Sequence, residues 1–324
     1  MFGATRSDIT LTVPAVAKVD GVEDCTAVIN RLRWRYLHAG SGPALLLVHG
    51  FMGYSFSWRF VISELARHFS VYAVDLPGCG FSERSASLPA SLDSDAEHLL
   101  SFMDHLGIEQ CDVVGTSRGG GVTIALAGLM AERGVLHRVR RMVLAEPVNP
   151  WSRYGILRVR VLSTRIGSVY VVHLAKRLRF ILVSYFKGLY GDVANIPPDS
   201  LGGYDAGMAP SGSYEHVWQM IRAWMAGLKR IEAVLPVVES VPVLLLWGTR
   251  DTAVDPESAE QLHRRWKNSA VVMMDGIGHM PYEERPQEFT RIVLDFLLRD
   301  TPATAMGTEA PVVMTHAAVE NGRA

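Results

Sequence analysis

Gly115-Thr116-Ser117-Arg118-Gly119 follows the apolar run Cys111-Asp112-Val113-Val114 and precedes a small-residue, helix-prone run from Val122 to Met130. The stretch reads as a serine on a sharp turn from a strand into a helix. Such a turn pushes the Ser117 hydroxyl out of a sheet at a helix N-terminus, where backbone N–H groups and the helix dipole favour negative charge. Gly115 and Gly119 flank it at two residues on either side, where side chains would collide as strand and helix cross. By chance the G-x-S-x-G pattern occurs about 0.2 times in a chain of this composition, so its context decides. Here a strand precedes it, a helix follows it, and the partners a serine nucleophile needs appear downstream.

The alternation of apolar strand and helix extends outward from that turn. Strands are expected at Ala44–Val48, Val71–Asp75, Cys111–Gly115 and Arg141–Ala145, with helices near Ser57–Phe69, Leu92–Leu106 and Arg118–Arg133. The pattern resumes at Val241 and runs to Leu298 as strand, helix, strand, helix. Alternation of this kind means a mostly parallel sheet covered on both faces. The stretch from Ala27 to Leu37 alternates polar and apolar residues and fits an antiparallel edge hairpin. In such a sheet the site lies at the carboxyl ends of the strands.

Two residues near strand ends complete the chemistry that Ser117 requires. His279, in Asp275-Gly276-Ile277-Gly278-His279-Met280-Pro281, lies on a glycine-rich loop just past the apolar run Ala270 to Met274. It alone of the eleven histidines combines a strand end, a flanking glycine and a position downstream of the other two groups. Asp251, after the apolar run Val243 to Leu246, would hold the imidazole in the correct tautomer and stabilise its cation. Asp255 is the competing acid, but it stands directly before Pro256 and reads better as a helix N-cap.

With Ser117, Asp251 and His279 in that order, the chain resembles the α/β-hydrolase superfamily. His49-Gly50-Phe51-Met52-Gly53 and Asp75-Leu76-Pro77-Gly78-Cys79-Gly80-Phe81-Ser82 carry the likeness further, over about residues 25 to 146 and 241 to 299. The resemblance implies an eight-stranded type of mostly parallel α/β sheet with helices on both faces and a helical cap inserted after the sixth strand. It implies an N-terminal extension at 1–24, a core at 25–146 and 241–300, a cap or lid at 147–240, and a weakly ordered tail at 301–324. It also implies an oxyanion hole built from the backbone N–H groups of Phe51 and Arg118, with His49 shaping the loop. No metal or cofactor is called for. The implied activity is hydrolysis of a small-molecule carboxylic ester, with carbon–carbon bond hydrolysis, acyl transfer, perhydrolysis or a non-enzymatic small-molecule receptor as alternatives on the same triad.

Two positions depart from the common pattern. A cation at position 118, on a helix N-terminus, is disfavoured by the dipole, so a compensating acid is required. Glu146, which ends the strand after the Ser117 strand, is the expected ion-pair partner of Arg118. Some haloalkane dehalogenases in the superfamily place the acid that supports the histidine after the sixth strand, so Glu146 is also a second candidate for that role beside Asp251.

Composition bounds the rest. The chain has 324 residues, 48% hydrophobic content and a formal net charge of −1, a globular composition that argues against general nucleic-acid binding. Three cysteines, Cys25, Cys79 and Cys111, are widely spaced and form no C-x-x-C pair. No signal peptide or membrane-spanning run is evident, so a cytoplasmic location is expected. The cap carries an asymmetry of its own. From Pro147 to Gly191 it holds Arg153, Arg158, Arg160, Arg165, Lys176, Arg177, Arg179 and Lys187 and no Asp or Glu, amid many apolar residues. Peripheral contact of this segment with anionic lipid is one expectation; a solvated cap face over the pocket is the other. The oligomeric state is left open.

Overall fold

The computed structural model describes residues 21–299 except 86, 175, 176 and 178, together with Val19 and a short strand at 312–314. Residues 1–18 and 20 of the expected extension at 1–24, and most of the expected tail, therefore lie outside the described residues, and the first strand begins within the extension at Val22.

One mixed sheet organises the chain, in the order β1-β2-β4-β3-β5-β6-β7-β8-β9. The hairpin of β1 (Val22–Ile29) and β2 (Leu32–Ala39) is antiparallel, and β2 pairs antiparallel with β4 (Ser70–Asp75). Asn30 and Arg31 turn the hairpin with φ of 52° and 65°, the left-handed pair that a two-residue turn demands. All other pairings are parallel: β3 (Ala44–Val48) with β4 and with β5 (Cys111–Thr116), then β6 (Val139–Ala145), β7 (Val243–Gly248) and β8 (Ser269–Met274). Val312–Met314, inside the expected tail, adds β9 parallel to β8. Every residue of β5 and β7 is buried, because helices cover both faces and no alternation with solvent is possible.

The helices are α1 (Ile62–Leu65), α2 (Leu92–His105), α3 (Arg118–Glu132), α4 (Ile156–Leu162), α5 (Arg165–Ser168), α6 (Arg179–Lys187), α7 (Ser200–Met208), α8 (Ser213–Val238), α9 (Glu257–His263), α10 (Pro281–Glu284) and α11 (Pro286–Leu297). Helices α2, α3, α9 and the end of α8 bury Phe102, Ile124, Leu262 and Leu235 in one core cluster. Helices α1 and α11 bury Leu65, Phe289 and Phe296 in the other. α2 begins with a capping box in which Ser91 and Ser94 exchange hydrogen bonds. The helix expected at Ser57–Phe69 is instead a 3-10 turn over Ser55–Trp58 and the single turn α1. The break falls at Arg59, whose buried guanidinium is held by Glu283 at 2.7 Å and Asp199 at 2.9 Å.

Among the described residues between β6 and β7 the regular elements are helical: α4 to α8, a π-helical turn over Val169–Leu174 and a 3-10 turn over Val193–Asn195. The last helix of this stretch, α8, ends at Val238, close to the expected cap boundary at 240. The last turns of α8 pack on α3, with Ile231, Val234, Leu235 and Val238 at most 3% exposed in the cluster beside the sheet. Gly128 of α3 makes room for them, since a β-carbon there would lie 2.6 Å from Val234 Cγ1. Thus α8 starts in the insertion and ends in the core.

Candidate active site

Ser117 occupies the turn between β5 and α3 with φ 52° and ψ −121°, a conformation that non-glycine residues rarely adopt and that surrounding structure must hold. Two backbone bonds, to the neighbouring strand and to the segment just after it, do so. Ser117 N–H donates to Ala145 O at 2.8 Å, and Val148 N–H donates to Ser117 O at 3.0 Å. Glycine is required around it: a β-carbon at Gly119 would lie 2.3 Å from Val48 O, and one at Gly115 would lie 2.5 Å from Thr123 Oγ1. Gly50 sits against the serine itself, where a β-carbon would be 3.1 Å from Ser117 Cβ. The His-Gly-Phe loop after β3 and the β5–α3 elbow are therefore packed side by side.

His279, five residues beyond β8, is buried, and its Nδ1 lies 2.8 Å from Asp251 Oδ2. Asp251 follows β7 and is also buried. Its other oxygen accepts the N–H groups of Ala253 at 2.7 Å and Val254 at 3.0 Å. Those bonds and the imidazole occupy the carboxylate and fix its orientation. Since the carboxylate accepts, Nδ1 carries the proton and Nε2 keeps its lone pair. Asp255 is not the N-cap expected: the N-cap of α9 is Pro256, and the carboxylate of Asp255, one residue earlier, accepts Glu257 N–H at 3.1 Å.

Glu146 lies next to this pair. It is fully buried with φ 48°, and one oxygen accepts Gly248 N–H at 2.9 Å while the other has no protein partner. One ligand-type atom from each of Glu146, Asp251 and His279 falls within 4.8 Å of the others. Burial, then the neighbouring Asp251 charge, pushes the Glu146 carboxyl well above the usual carboxylate range. Two carboxyl groups so close in a dry site hold one negative charge at far lower cost than two. A cation at this spot would have to displace the His279–Asp251 hydrogen bond.

The expected Arg118–Glu146 ion pair is not formed. Arg118 Nη1 instead meets Asp95 Oδ2 at 2.6 Å, and Nη2 donates to Ala90 O at 2.9 Å. The cause is direction: Arg118 opens α3 and extends toward the start of α2, whereas Glu146 leans toward the end of β7. Both members of the Arg118–Asp95 pair are buried, so the compensating acid that the helix N-terminus requires comes from α2. With its donors engaged there, Arg118 is not a free anion-binding group. His49 shapes its loop, as expected: Nδ1 donates to Gly50 O at 2.9 Å, and Nε2 accepts Leu76 N–H at 3.2 Å. Burial lowers its pKa and keeps the ring neutral. The ring of Phe51 meets Trp224 edge-on at 5.5 Å, beside a small apolar cleft lined by Leu92, Val148, Met220, Trp224 and Leu228.

Sequence reasoning missed the way the insertion is tied to the His279 loop. His279 N–H donates to Leu189 O at 2.6 Å. Glu284 accepts Gly191 N–H at 2.9 Å with one oxygen and Gly278 N–H at 2.8 Å with the other. A β-carbon at Gly191 would lie 2.5 Å from Gly276 O. Behind this strap, buried Glu283 takes an ion pair from Arg59 and hydrogen bonds from Tyr190 at 2.7 Å and Ser200 at 2.6 Å, with Tyr204 on its other oxygen. The only signal in the sequence was the acidic pair Glu283-Glu284 after Pro281, which reads as an ordinary helix start.

A family model described as the alpha/beta hydrolase family matches residues 45–292. A Mycobacterium tuberculosis protein described as uncharacterized is 28% identical over 283 residues, 85% of this chain and 81% of its own length. Haloalkane dehalogenase 2 of the same organism is 26% identical over 273 residues, 82% of this chain and 92% of that one. Among solved structures, 2-hydroxy-6-oxo-6-phenylhexa-2,4-dienoate hydrolase from Rhodococcus superposes with a TM-score of 0.70 at 24% identity, covering 86% of this chain and all of the other, a likeness of fold.

Proposed function

The chain belongs to the alpha/beta hydrolase family, and from that premise we propose that it is a serine hydrolase cleaving carboxylic esters through an acyl-enzyme on Ser117. The observation that carries this reading is the His279–Asp251 hydrogen bond of 2.8 Å in the same sheet-end site as a serine held at φ 52°. Because Nδ1 is committed to Asp251, Nε2 is the basic nitrogen. Ser117 Oγ attacks the ester carbonyl as Nε2 takes its proton. The C–O bond to the alcohol then breaks, and the proton leaves with the alcohol. Water repeats the sequence on the acyl-enzyme, releasing the acid and free Ser117. Asp251 keeps its charge and balances the transient imidazolium.

The oxyanion is assigned to the backbone N–H groups of Arg118 and Phe51. Arg118 is the first residue of α3, and N–H groups of a first helical turn have no carbonyl partner within the helix. Phe51 follows Gly50, whose contact with Ser117 brings that loop to the nucleophile. Each such donor lowers the barrier by about 3 kcal/mol. Dehalogenases and epoxide hydrolases of this family use an aspartate nucleophile, so the serine at 117 directs the chemistry to acyl transfer to water.

The test is hydrolysis of p-nitrophenyl esters of graded chain length by wild type and Ser117→Ala. Turnover falling by about 10⁴-fold or more in the variant is expected. Folded wild type without turnover across the panel overturns the ester assignment.

A further inference from the structure

Among the described residues, four strongly exposed apolar side chains cluster in one part of the molecule. Leu157 is 76% exposed, Val161 57%, Ile166 85% and Val169 59%. All lie on α4, α5 and the π-helical turn, consecutive elements packed against one another and against α8. At about 100° of rotation per residue, Leu157 and Val161 share one face of α4. Arg158 and Arg160 stand on either side of that face, both exposed, while Ile156, Val159 and Leu162 turn inward. Arg165, Arg177 and Lys187 are exposed nearby in the chain, and no acid occurs anywhere from 147 to 191.

We propose that the α4–α5 face of the insertion docks on an anionic lipid bilayer, with Leu157, Val161, Ile166 and Val169 entering the interface and the surrounding arginines contacting headgroups. Four large apolar side chains clustered in water on consecutive elements, where exposed ones such as Val28, Phe60 and Val237 are scattered singly, mark a contact surface. The flanking charge identifies the partner. A second copy of this chain meeting the face symmetrically would set arginines against arginines, whereas a leaflet of anionic headgroups complements them. A bilayer also accepts both parts of the pattern at once: apolar side chains at the acyl boundary and basic ones at the phosphates. The proposal is independent of the ester assignment, since it concerns a surface and not the chemistry at Ser117.

Co-flotation with phosphatidylcholine vesicles, with and without about 30% phosphatidylglycerol, tests it. Binding to the anionic vesicles is expected, weakening as salt rises from 50 to 500 mM on the order of the screening length. The pair Arg158→Glu with Arg160→Glu is expected to lower partitioning by more than about tenfold, since one basic residue near such a surface contributes about fivefold. Ile166→Ser is expected to lower it separately at unchanged net charge. All three positions are exposed, so far-UV circular dichroism and Tm should match wild type. A variant that does not match is replaced by Val161→Ser. Absence of binding to anionic vesicles at low salt overturns the proposal. So does binding that the charge and apolar variants leave unchanged, or a concentration-dependent dimer that those variants abolish in the absence of lipid.

Discussion

At the scale of single residues, the buried carboxyl pair decides how the site is charged. Asp251 receives two backbone N–H groups and the imidazole, while Glu146 receives one N–H and leaves its second oxygen unpartnered. The negative charge therefore belongs on Asp251, with Glu146 neutral beside it. It follows that Glu146→Gln, which keeps the neutral shape and the oxygen facing Gly248, retains activity within about tenfold. Asp251→Asn presents an amide where an acceptor is needed, reverses the imidazole tautomer and loses about 10⁴-fold in kcat. Steady-state kinetics of the two variants on one ester separates them, and the opposite ranking would move the supporting role to Glu146. Arg118 and Asp95 illustrate a different economy. Removing either would strand a charge in a dry site at a cost of about 3–5 kcal/mol, although the pair as a whole adds little to stability over an apolar replacement.

Among the elements, the strap from Leu189 to Gly191 couples the insertion to the His279 loop, and its carboxylate titrates near neutrality. Burial raises Glu284 to about 7 from an ordinary 4.5, against the lowering effect of the N–H groups of Gly278 and Gly191. The folded state thus holds this proton more tightly than the unfolded chain. The stabilisation this confers is complete below pH 4.5 and is lost as pH rises through about 7. Tm of wild type minus Tm of Glu284→Gln should accordingly fall between pH 5 and pH 8; a constant difference would show that the group does not titrate there. These couplings mark where the sequence stops being informative. Apolar runs such as Ala44–Val48 and Cys111–Thr116 announce their strands, and Gly115, Ser117 and Gly119 announce the elbow, because burial and sharp turns constrain residue type locally. Asp251 and His279 are legible because each lies just beyond such a run. The partner of Arg118 is not, since it depends on where the start of α2 lies against the elbow. Nor is the break at Arg59, which is set by Glu283, 224 residues away.

For the molecule as a whole, α8 is the member that joins the insertion to the core. Its first turns bury Val217 and Ile221 with the insertion's own residues, and its last turns bury Ile231 and Leu235 beside the sheet. Ile231→Ala should lower the unfolding free energy by about 2–5 kcal/mol within the main cooperative transition. Leu157→Ala, on the exposed face of α4, should change it by less than about 0.5 kcal/mol. Denaturant unfolding of both variants checks this, and an unaffected main transition in Ile231→Ala would mean that α8 does not belong to the core. The insertion also divides into two territories with different freedom to diverge. Substitutions can accumulate at exposed positions such as Leu157, Arg158, Arg160, Val161 and Ile166, which face water, whereas Val171 and Phe186 of the same stretch are buried in the core. From 189 to 204 the same insertion is held to His279, Glu283 and Glu284, and one added methyl at Gly191 would push on the backbone of the His279 loop. A segment exchanged between relatives to alter surface or specificity would therefore be cut before Leu189, leaving the strap with the site it serves.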